Sequence, residues 1–563
     1  MPAVGRAHSG RVRVERPALA APLGADTAWS LRDRARVGLA LAMLLGPPLL
    51  DLAIHGWKRV FSYFAGDAYY YLTIARNLAL QGSFSFDQER TTNGFHPLWQ
   101  LVTGLLYSLT TALQLPDSTF LIAVFLASLG LLSLALLALA ASFRLALGRV
   151  PAAFPVLPAG LYALAMWPVA SQHGSLWSFA NGMESALVIA AFAWTLLCLV
   201  RREASNTLAD NFRLSIALSV LTLSRLDHGV LAPVVFGWSL LSHPPVDRPR
   251  LRRLLALTVP FAGVLAVYLA FNTLVAGHML PVSGSLKSTF PHPSPQNLRY
   301  LANLLHDPDS GPGIWRQAQV FLPSIVAGFS LPWLLSLRLR DRGDLLAAPL
   351  IVGAGFVLAL AGYNFLYVNL WHQGHWYFPA SVLLATIFVL YLAEGPGPIR
   401  NAAPAAAVTA AAVALSLVFF AAGYYDPAYN TQYRRMFDAR SEIAAHFGGE
   451  RPKIIEYDDG IVAFTTGFPA MSGLGFTLDP EALAWKENRL LLWLAHNRGF
   501  DHIASMNYFG SGGLSTKSDS DEIRQKLAGT FFLTPREVAP FDFDVVYVTS
   551  GRELAIIQMQ LRE

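Results

Sequence analysis

Apolar residues in this chain come in long uninterrupted runs rather than at amphipathic spacing. Phe120–Ala141 and Ala403–Gly423 are each close to the ~20 residues needed to cross a hydrocarbon core. Comparable runs are Val37–Ile54, Phe120–Phe143, Ala152–Ala170, Ser185–Val200, Leu214–Leu223, Val230–Leu241, Leu254–Val275, Trp315–Leu335, Leu345–Val368, Trp376–Leu392 and Ala403–Gly423. Short basic clusters punctuate them: Arg32, Arg34 and Arg36, then Arg144 and Arg149, Arg201-Arg202, Arg248–Arg253, Arg338–Arg342 and Arg400. The positive-inside rule places these clusters in the cytoplasm and predicts about 11 spans with the C-terminus outside. Leu98–Leu115, as a further crossing, would put Arg144 on the wrong side. It is therefore expected as a juxtamembrane or re-entrant helix, interrupted by Pro116-Asp117. The Leu214–Leu241 hairpin is short, so its tip, Arg225-Leu226-Asp227-His228, is expected below the outer surface. The Arg-rich leader before Val37 lacks a clear small-x-small cleavage site, so the first run reads as an uncleaved span rather than a signal peptide.

Beyond about Tyr424 the pattern changes. Lys453–Tyr457 and Val545–Val548 alternate as strands do, and Ser441–Phe447 and Pro480–His496 have helical spacing. About 140 residues suffice for one small α/β domain. The expected fold class is mainly α: a polytopic membrane helical bundle with a C-terminal external α/β domain. Residues 1–36 form a cytoplasmic segment, 37–424 the membrane module with an external loop over 55–97, and 425–563 the external domain. No long-period repeat is visible.

Composition agrees. Of the 563 residues, 54% are hydrophobic and 14% charged, against about 25% charged in a soluble domain. The net charge of +5, from 42 basic and 37 acidic side chains with basic clusters between the apolar runs, is not a nucleic-acid signature. Cys198 is the one cysteine, so neither an internal disulfide nor a cysteine metal site is expected. No glycine-rich phosphate cradle is present, and no cofactor is expected.

The stretch from Gly66 to Trp99 concentrates candidate chemistry. Asp67 precedes an aromatic-rich helical pattern, where it suits either a general base at the membrane surface or a helix N-cap. Tyr69, Tyr70 and Tyr71 suit an interfacial aromatic belt equally well. Asn93-Gly94 signals a turn ahead of His96-Pro97, and His96 is a substrate-binding candidate. Glu184 opens a span, as a carboxylate favoured by the helix dipole or as a second acid that binds acceptor. Arg225, Asp227 and His228 are ionisable groups in apolar surroundings. Arg225 either holds a lipid phosphate, oriented by Asp227, or forms a purely structural pair with it. Lys287 follows Pro281 and Gly284 on irregular external backbone, as a cation for a phosphate leaving group or as a solvated lysine. His372 and His375 are candidates for phosphate or sugar contact, or for interfacial packing, without the third ligand that zinc requires. Glu456, Asp458 and Asp459 read as a strand followed by an acidic turn more readily than as a cation site.

Several of these stretches together resemble a known family. They are G-D-A-Y-Y-Y-L-T-I-A-R-N (Gly66 to Asn77), T-N-G-F-H-P-L-W (Thr92 to Trp99), N-G-M-E-S-A-L (Asn181 to Leu187), L-S-R-L-D-H-G (Leu223 to Gly229), Leu286-Lys287, W-Y-F-P-A (Trp376 to Ala380), and the tail stretch Tyr457 to Gly475. They resemble the GT-C superfamily of membrane glycosyltransferases, in a bacterial group related to the actinobacterial arabinofuranosyltransferases. The resemblance is scattered from Phe64 to about Leu478. It implies a polyprenyl-phosphate sugar donor, an envelope glycan or glycoconjugate acceptor, and an inverting single displacement with Asp67 as base. It places Arg225 and Lys287 near the donor phosphate. Gly66 stands where many relatives carry a second acid, so a paired-acid cation site is not implied, and arabinose specificity does not carry over. The rival expectations are a transporter or flippase of a lipid-linked saccharide and a non-catalytic assembly subunit of envelope synthesis.

Overall fold

The computed structural model of the protein describes residues 29–155, 157–158, 179–244, 247–297, 345–368, 379–394, 431–457, 460–506, 518–530, 533–550 and 554–562, with a few further positions between them. Within them, Leu31–His55, Asp117–Leu147, Ser185–Ser205, Arg248–Ala276 and Ala347–Tyr367 are helices long and apolar enough to cross a membrane. Five expected spans fall on these helices. Ala152–Ala170, Trp315–Leu335 and Ala403–Gly423 lie wholly or mostly outside the described residues. Ser185–Ser205 is central, with 83% of its apolar stretch buried, whereas Arg248–Ala276 is peripheral, with 17% buried. The latter turns Leu255, Val259, Val267 and Leu274 outward, as a lipid-facing helix does.

The helices begin and end where local chemistry dictates. Asp117 occupies the first turn of Asp117–Leu147, after extended Pro116, and complements the positive end of the helix dipole. Gly148 terminates that helix at φ 72°, its N–H closing on the Arg144 carbonyl. Asp33 joins this end to the start of the first helix. It accepts from the Val150 amide at 2.9 Å and lies 3.9 Å from both Arg36 and Arg144. The two helices are therefore antiparallel, which leaves no crossing for the segment between them. That segment is the helix Pro97–Ala112. Its row of Leu101, Leu105, Leu109 and Leu113 is exposed, while Gln100, Thr103 and Thr110 are buried. Polar inside and leucine outside suits a helix lying along lipid, as expected for a juxtamembrane element.

The short hairpin is also as expected. Its arms are Leu208–Ser224, of 17 residues, and Leu231–Ser242, of 12, both under the ~20 of a full crossing. Extended Arg225 and a 3-10 turn over Leu226–Val230 join them, and Arg225 and His228 are buried.

The C-terminal domain, expected to be external, holds a five-stranded sheet in the order β2-β1-β3-β5-β4. The strands are β1 Ile454–Glu456, β2 Ala470–Ser472, β3 His502–Ser505, β4 Phe541–Val548 and β5 Ala555–Leu561. β1 pairs in parallel with β2 and β3, and β5 pairs antiparallel with β3 and β4. Phe541, Phe543 and Val545 alternate into the core with more exposed residues between them. Pro480–His496, expected as one helical stretch, is two helices, Pro480–Glu487 and Leu491–Asn497. Arg489 between them sits at φ 58°, a left-handed conformation that a continuous helix excludes.

This domain docks on the end of the bundle away from Arg36 and Arg144. The buried Arg76 donates to the Ala463 and Phe464 carbonyls at 3.0 and 2.9 Å. Gly460, at φ 94°, lets its backbone reach the helix Ala68–Gln81; a Cβ there would sit 2.9 Å from the Tyr69 carbonyl carbon. The loop Thr92–His96 is the junction. Thr92 donates to the Leu478 carbonyl at 3.1 Å. The Asn93 amide donates to the His278 and Leu280 carbonyls and accepts from the Val282 N–H. Gly94 abuts the external domain, where a Cβ would come within 1.9 Å of the Phe476 carbonyl oxygen.

That last contact yields a direct test. Gly94→Ala cannot keep both backbones in place, and overpacking of this kind costs about 1–3 kcal/mol or more. The external domain should undock, and limited proteolysis should release it at protease levels that leave the native chain intact.

Candidate functional site

Asp67 directly precedes the Ala68–Gln81 helix, but its side chain makes no capping hydrogen bond, and its backbone (φ −55°, ψ −18°) is already helical rather than the extended form of an N-cap. The N-cap reading therefore fails. The carboxylate faces Lys287 instead, Oδ2 to Nζ at 4.0 Å, and 23% of its side chain remains exposed.

Lys287 does not sit on irregular backbone. It is the last residue of a short helix, Val282–Lys287, started by Pro281. Asn93 fixes that helix by taking up the Val282 N–H at its first turn. Nor is Lys287 a solvated lysine: 18% of its side chain is exposed, and its ammonium lies over the Phe476 ring, 4.2 Å from the centroid. Its charge is retained. Burial opposes it, but Tyr377 and Asp67 outweigh burial and raise its pKa above the ordinary lysine value.

Glu184 lies deeper, fully buried immediately before the central helix Ser185–Ser205. Arg225 Nη1 reaches its Oε1 at 2.5 Å. The Nε edge of Arg225 meets Asp227 at 3.1 Å, and the guanidinium stacks 4.1 Å from the Tyr377 ring centroid. Asp227 in turn holds His228 Nδ1 at 2.7 Å. The Tyr71 hydroxyl accepts from the backbone N–H of His96 and donates to Glu184. His96 Nε2 lies 3.6 Å from Glu184, beyond hydrogen-bond length.

Electrostatics sort these groups. Burial works against the Glu184 charge, but His96 and Arg225 outweigh it and hold the carboxyl below its ordinary range. Burial pushes the His96 imidazole down to about 4 against the pull of Glu184. With the imidazole neutral at neutral pH, Arg225 is the partner that keeps Glu184 ionised there. Tyr71 is raised well above the phenol value by burial and by Glu184, so it stays a hydrogen-bond donor.

Asp67, His96, Glu184, Arg225, Asp227 and Lys287 thus come together from separate stretches of the chain. His372 and His375 lie outside the described residues, as do Asp458 and Asp459. Glu456 is not poised for a cation: its carboxylate accepts from the Val462 and Ala463 N–H groups and caps the helix Ile461–Thr466. Among the described residues, no group of three or more His, Cys, Asp or Glu side chains is gathered as metal ligands would be. The three tyrosines are not an interfacial belt. All are buried in protein, Tyr69 against Tyr433 and Phe464, Tyr70 against Phe86 and Phe476, and Tyr71 against Glu184. Sequence reasoning missed Asn93 as the clamp on the lysine segment, although the turn it signals was visible. It also missed Phe476 and Tyr377, which look like ordinary aromatic residues in the sequence.

Two measurements check this assignment. Arg225→Met would leave Glu184 buried without its cation, a change that typically costs about 3–5 kcal/mol, read as a large fall in melting temperature in detergent. Arg225→Lys, which keeps charge but not the two-edged fork, should fall between. For His96, the unfolded chain binds the extra proton between pH 6.5 and about 4 while the folded protein does not. Stability should therefore drop as pH falls through that window, and His96→Gln should flatten the drop.

No family model matches the chain, and no curated protein matches its sequence. Among solved structures it is similar to ArnT from Cupriavidus metallidurans bound to undecaprenyl phosphate, with a TM-score of 0.51 at 14% identity, over 93% of this chain and 98% of that one. ArnT from the same organism in the apo state matches with a TM-score of 0.49 at 14% identity, over 91% and 97%. The chain has the fold of ArnT along nearly its whole length. This is the GT-C type of polytopic membrane fold expected from the sequence.

Proposed function

We propose that this protein, built on that fold, is a membrane glycosyltransferase. It moves a sugar from a polyprenyl-phosphate donor to a hydroxyl of an envelope glycan or glycoconjugate, on the outer face of the membrane. The observation that carries the reading is the pairing of a partly exposed carboxylate, Asp67, with a largely covered cation, Lys287, at 4.0 Å, where the bundle and the external domain meet. A transfer of this kind needs one group to take a proton and another to stabilise a departing phosphate, and these are those two groups.

In the proposed reaction the acceptor hydroxyl loses its proton to the Asp67 carboxylate as its oxygen bonds to the anomeric carbon. The bond from that carbon to the donor phosphate oxygen breaks, and its electron pair leaves with the lipid phosphate. Lys287 neutralises that charge. One displacement inverts the configuration. Arg225 has the lesser part: Glu184, Asp227 and Tyr377 already engage it, so its role is to hold Glu184 rather than to meet the phosphate first. Glu184, with Tyr71 and His96 around it, is the polar wall for acceptor or sugar hydroxyls; its Oε2 and the His96 Nδ1 are buried without a hydrogen-bond partner among the described residues. The undecaprenyl phosphate named with ArnT supports the donor class. A docked external domain favours the transferase over a transporter, which would need both ends of its pathway open. With the basic clusters inside, as the positive-inside rule expects, a domain docked at the opposite end would lie outside, on the acceptor's side.

Asp67→Asn tests the base. It keeps shape and hydrogen bonding but loses basicity, and removing a general base typically slows a reaction ~100- to 10,000-fold. Both Asp67→Asn and Asp67→Ala should fold, bind undecaprenyl phosphate and be nearly inactive in membranes supplied with labelled polyprenyl-phosphate sugars. Turnover by Asp67→Asn close to that of the native chain would remove Asp67 from the mechanism.

A further inference from the structure

We infer that Phe476, a residue of the external domain, is a positioning residue for the membrane site: its ring face holds the Lys287 ammonium beside Asp67 and available to the donor phosphate. The inference rests on the proposed role of Lys287.

A lysine at the end of a six-residue helix has four rotatable side-chain bonds and would ordinarily sample many conformers. Lys287 has the Phe476 ring at 4.2 Å and, as its nearest carboxylate contact, Asp67 at 4.0 Å. The first distance is well inside the ~6 Å range of a cation–π contact. The second is at the outer limit of an ion pair, so the ring is the contact that lies well within its own range.

An aromatic partner also suits the chemistry better than a second carboxylate would. A carboxylate would occupy the ammonium N–H groups and repel the phosphate that has to replace it. A ring face attracts the cation through its quadrupole and adds no anionic charge. The N–H groups directed away from the ring stay available to the donor.

The ring is itself held from both sides of the domain boundary. Tyr70, on the helix that follows Asp67, meets it edge-on at 6.2 Å and 89°. Gly94 packs directly on the Phe476 carbonyl. Inside the external domain, Ser472 Oγ accepts from the Gly475 N–H at 3.1 Å, and Lys486 Nζ donates to the Gly473 carbonyl at 2.6 Å. Gly475 stands at φ 95°, a left-handed turn that side chains disfavour. The loop that presents Phe476 is therefore fixed by both modules, and the external domain completes the site.

The test is a double-mutant cycle on the full-length chain in detergent, read as the dissociation constant of undecaprenyl phosphate. Phe476→Leu and Phe476→Met keep apolar volume and lose the ring. Each should weaken binding about 2- to 30-fold, the range spanned by cation–π contacts. Phe476→Tyr should restore it. In a Lys287→Met background, which itself binds more weakly, Phe476→Leu should add nothing. A Phe476 effect that persists undiminished without Lys287, or no loss in either ring-less variant, would overturn the inference while leaving the donor reading standing. Unchanged binding by Lys287→Met alone would instead overturn the donor role of Lys287, and this inference with it. Melting temperatures of all variants separate lost packing from lost positioning.

Discussion

A fully buried carboxylate between apolar helices has to be answered by a cation, and Glu184 is answered by Arg225 at 2.5 Å. Isolated in such surroundings either charge would be untenable. The guanidinium meets the requirement with one edge and gives the other to Asp227, which binds His228, while its face rests on Tyr377. Three parts of the membrane module are tied by this arrangement: the start of the central helix, the tip of the short hairpin, and Tyr377, two residues before the helix Pro379–Glu394. The hairpin must be short for the arrangement to exist, because a full-length crossing would carry Arg225 out to water.

The same constraint divides labour between the two basic residues. Arg225 is consumed by the scaffold on both edges and one face. Lys287 rests on a ring and stands at the limit of ion-pair distance from Asp67. A strongly hydrated ammonium on a flexible stem exchanges partners readily, whereas a planar fork locked by two carboxylates does not. The rigid cation therefore maintains the wall, and the adaptable one is left for the donor phosphate of the proposed reaction.

Much of this was legible in the chain. Run length and basic clusters gave the helices, and the parity of Arg36 and Arg144 gave the juxtamembrane status of Pro97–Ala112. Charges in an apolar hairpin pointed to Arg225 and Asp227, and the acid ahead of an aromatic helix pointed to Asp67. What stayed hidden depends on long-range packing. The three tyrosines look amphipathic in sequence, yet Tyr69 and Tyr70 pack against the docked external domain and Tyr71 against Glu184. Asn93 reads as a turn residue, yet its amide satisfies backbone groups of His278, Leu280 and Val282, far along the chain. Phe476 carries no local signal, because its importance lies in what approaches its face. Gly94 reads as half of a turn, whereas the closer constraint is the Phe476 carbonyl packed against it.

The spacing of Asp67 and Lys287 bears on how the proposed reaction would begin. At 4.0 Å the two charges answer one another. An in-line displacement cannot run with them so close, since the acceptor oxygen, the anomeric carbon and the departing oxygen have to lie between base and cation. Donor entry would therefore have to draw the ammonium toward the phosphate and away from the carboxylate. Lys287 would exchange one anion for another, at little electrostatic loss. Asp67 would be left without its counter-charge at the moment an acceptor hydroxyl arrives, open to that hydroxyl's hydrogen bond. Donor binding would thus prepare the base before the acceptor is engaged. A fixed arginine in place of Lys287 could neutralise the phosphate but could not make that exchange.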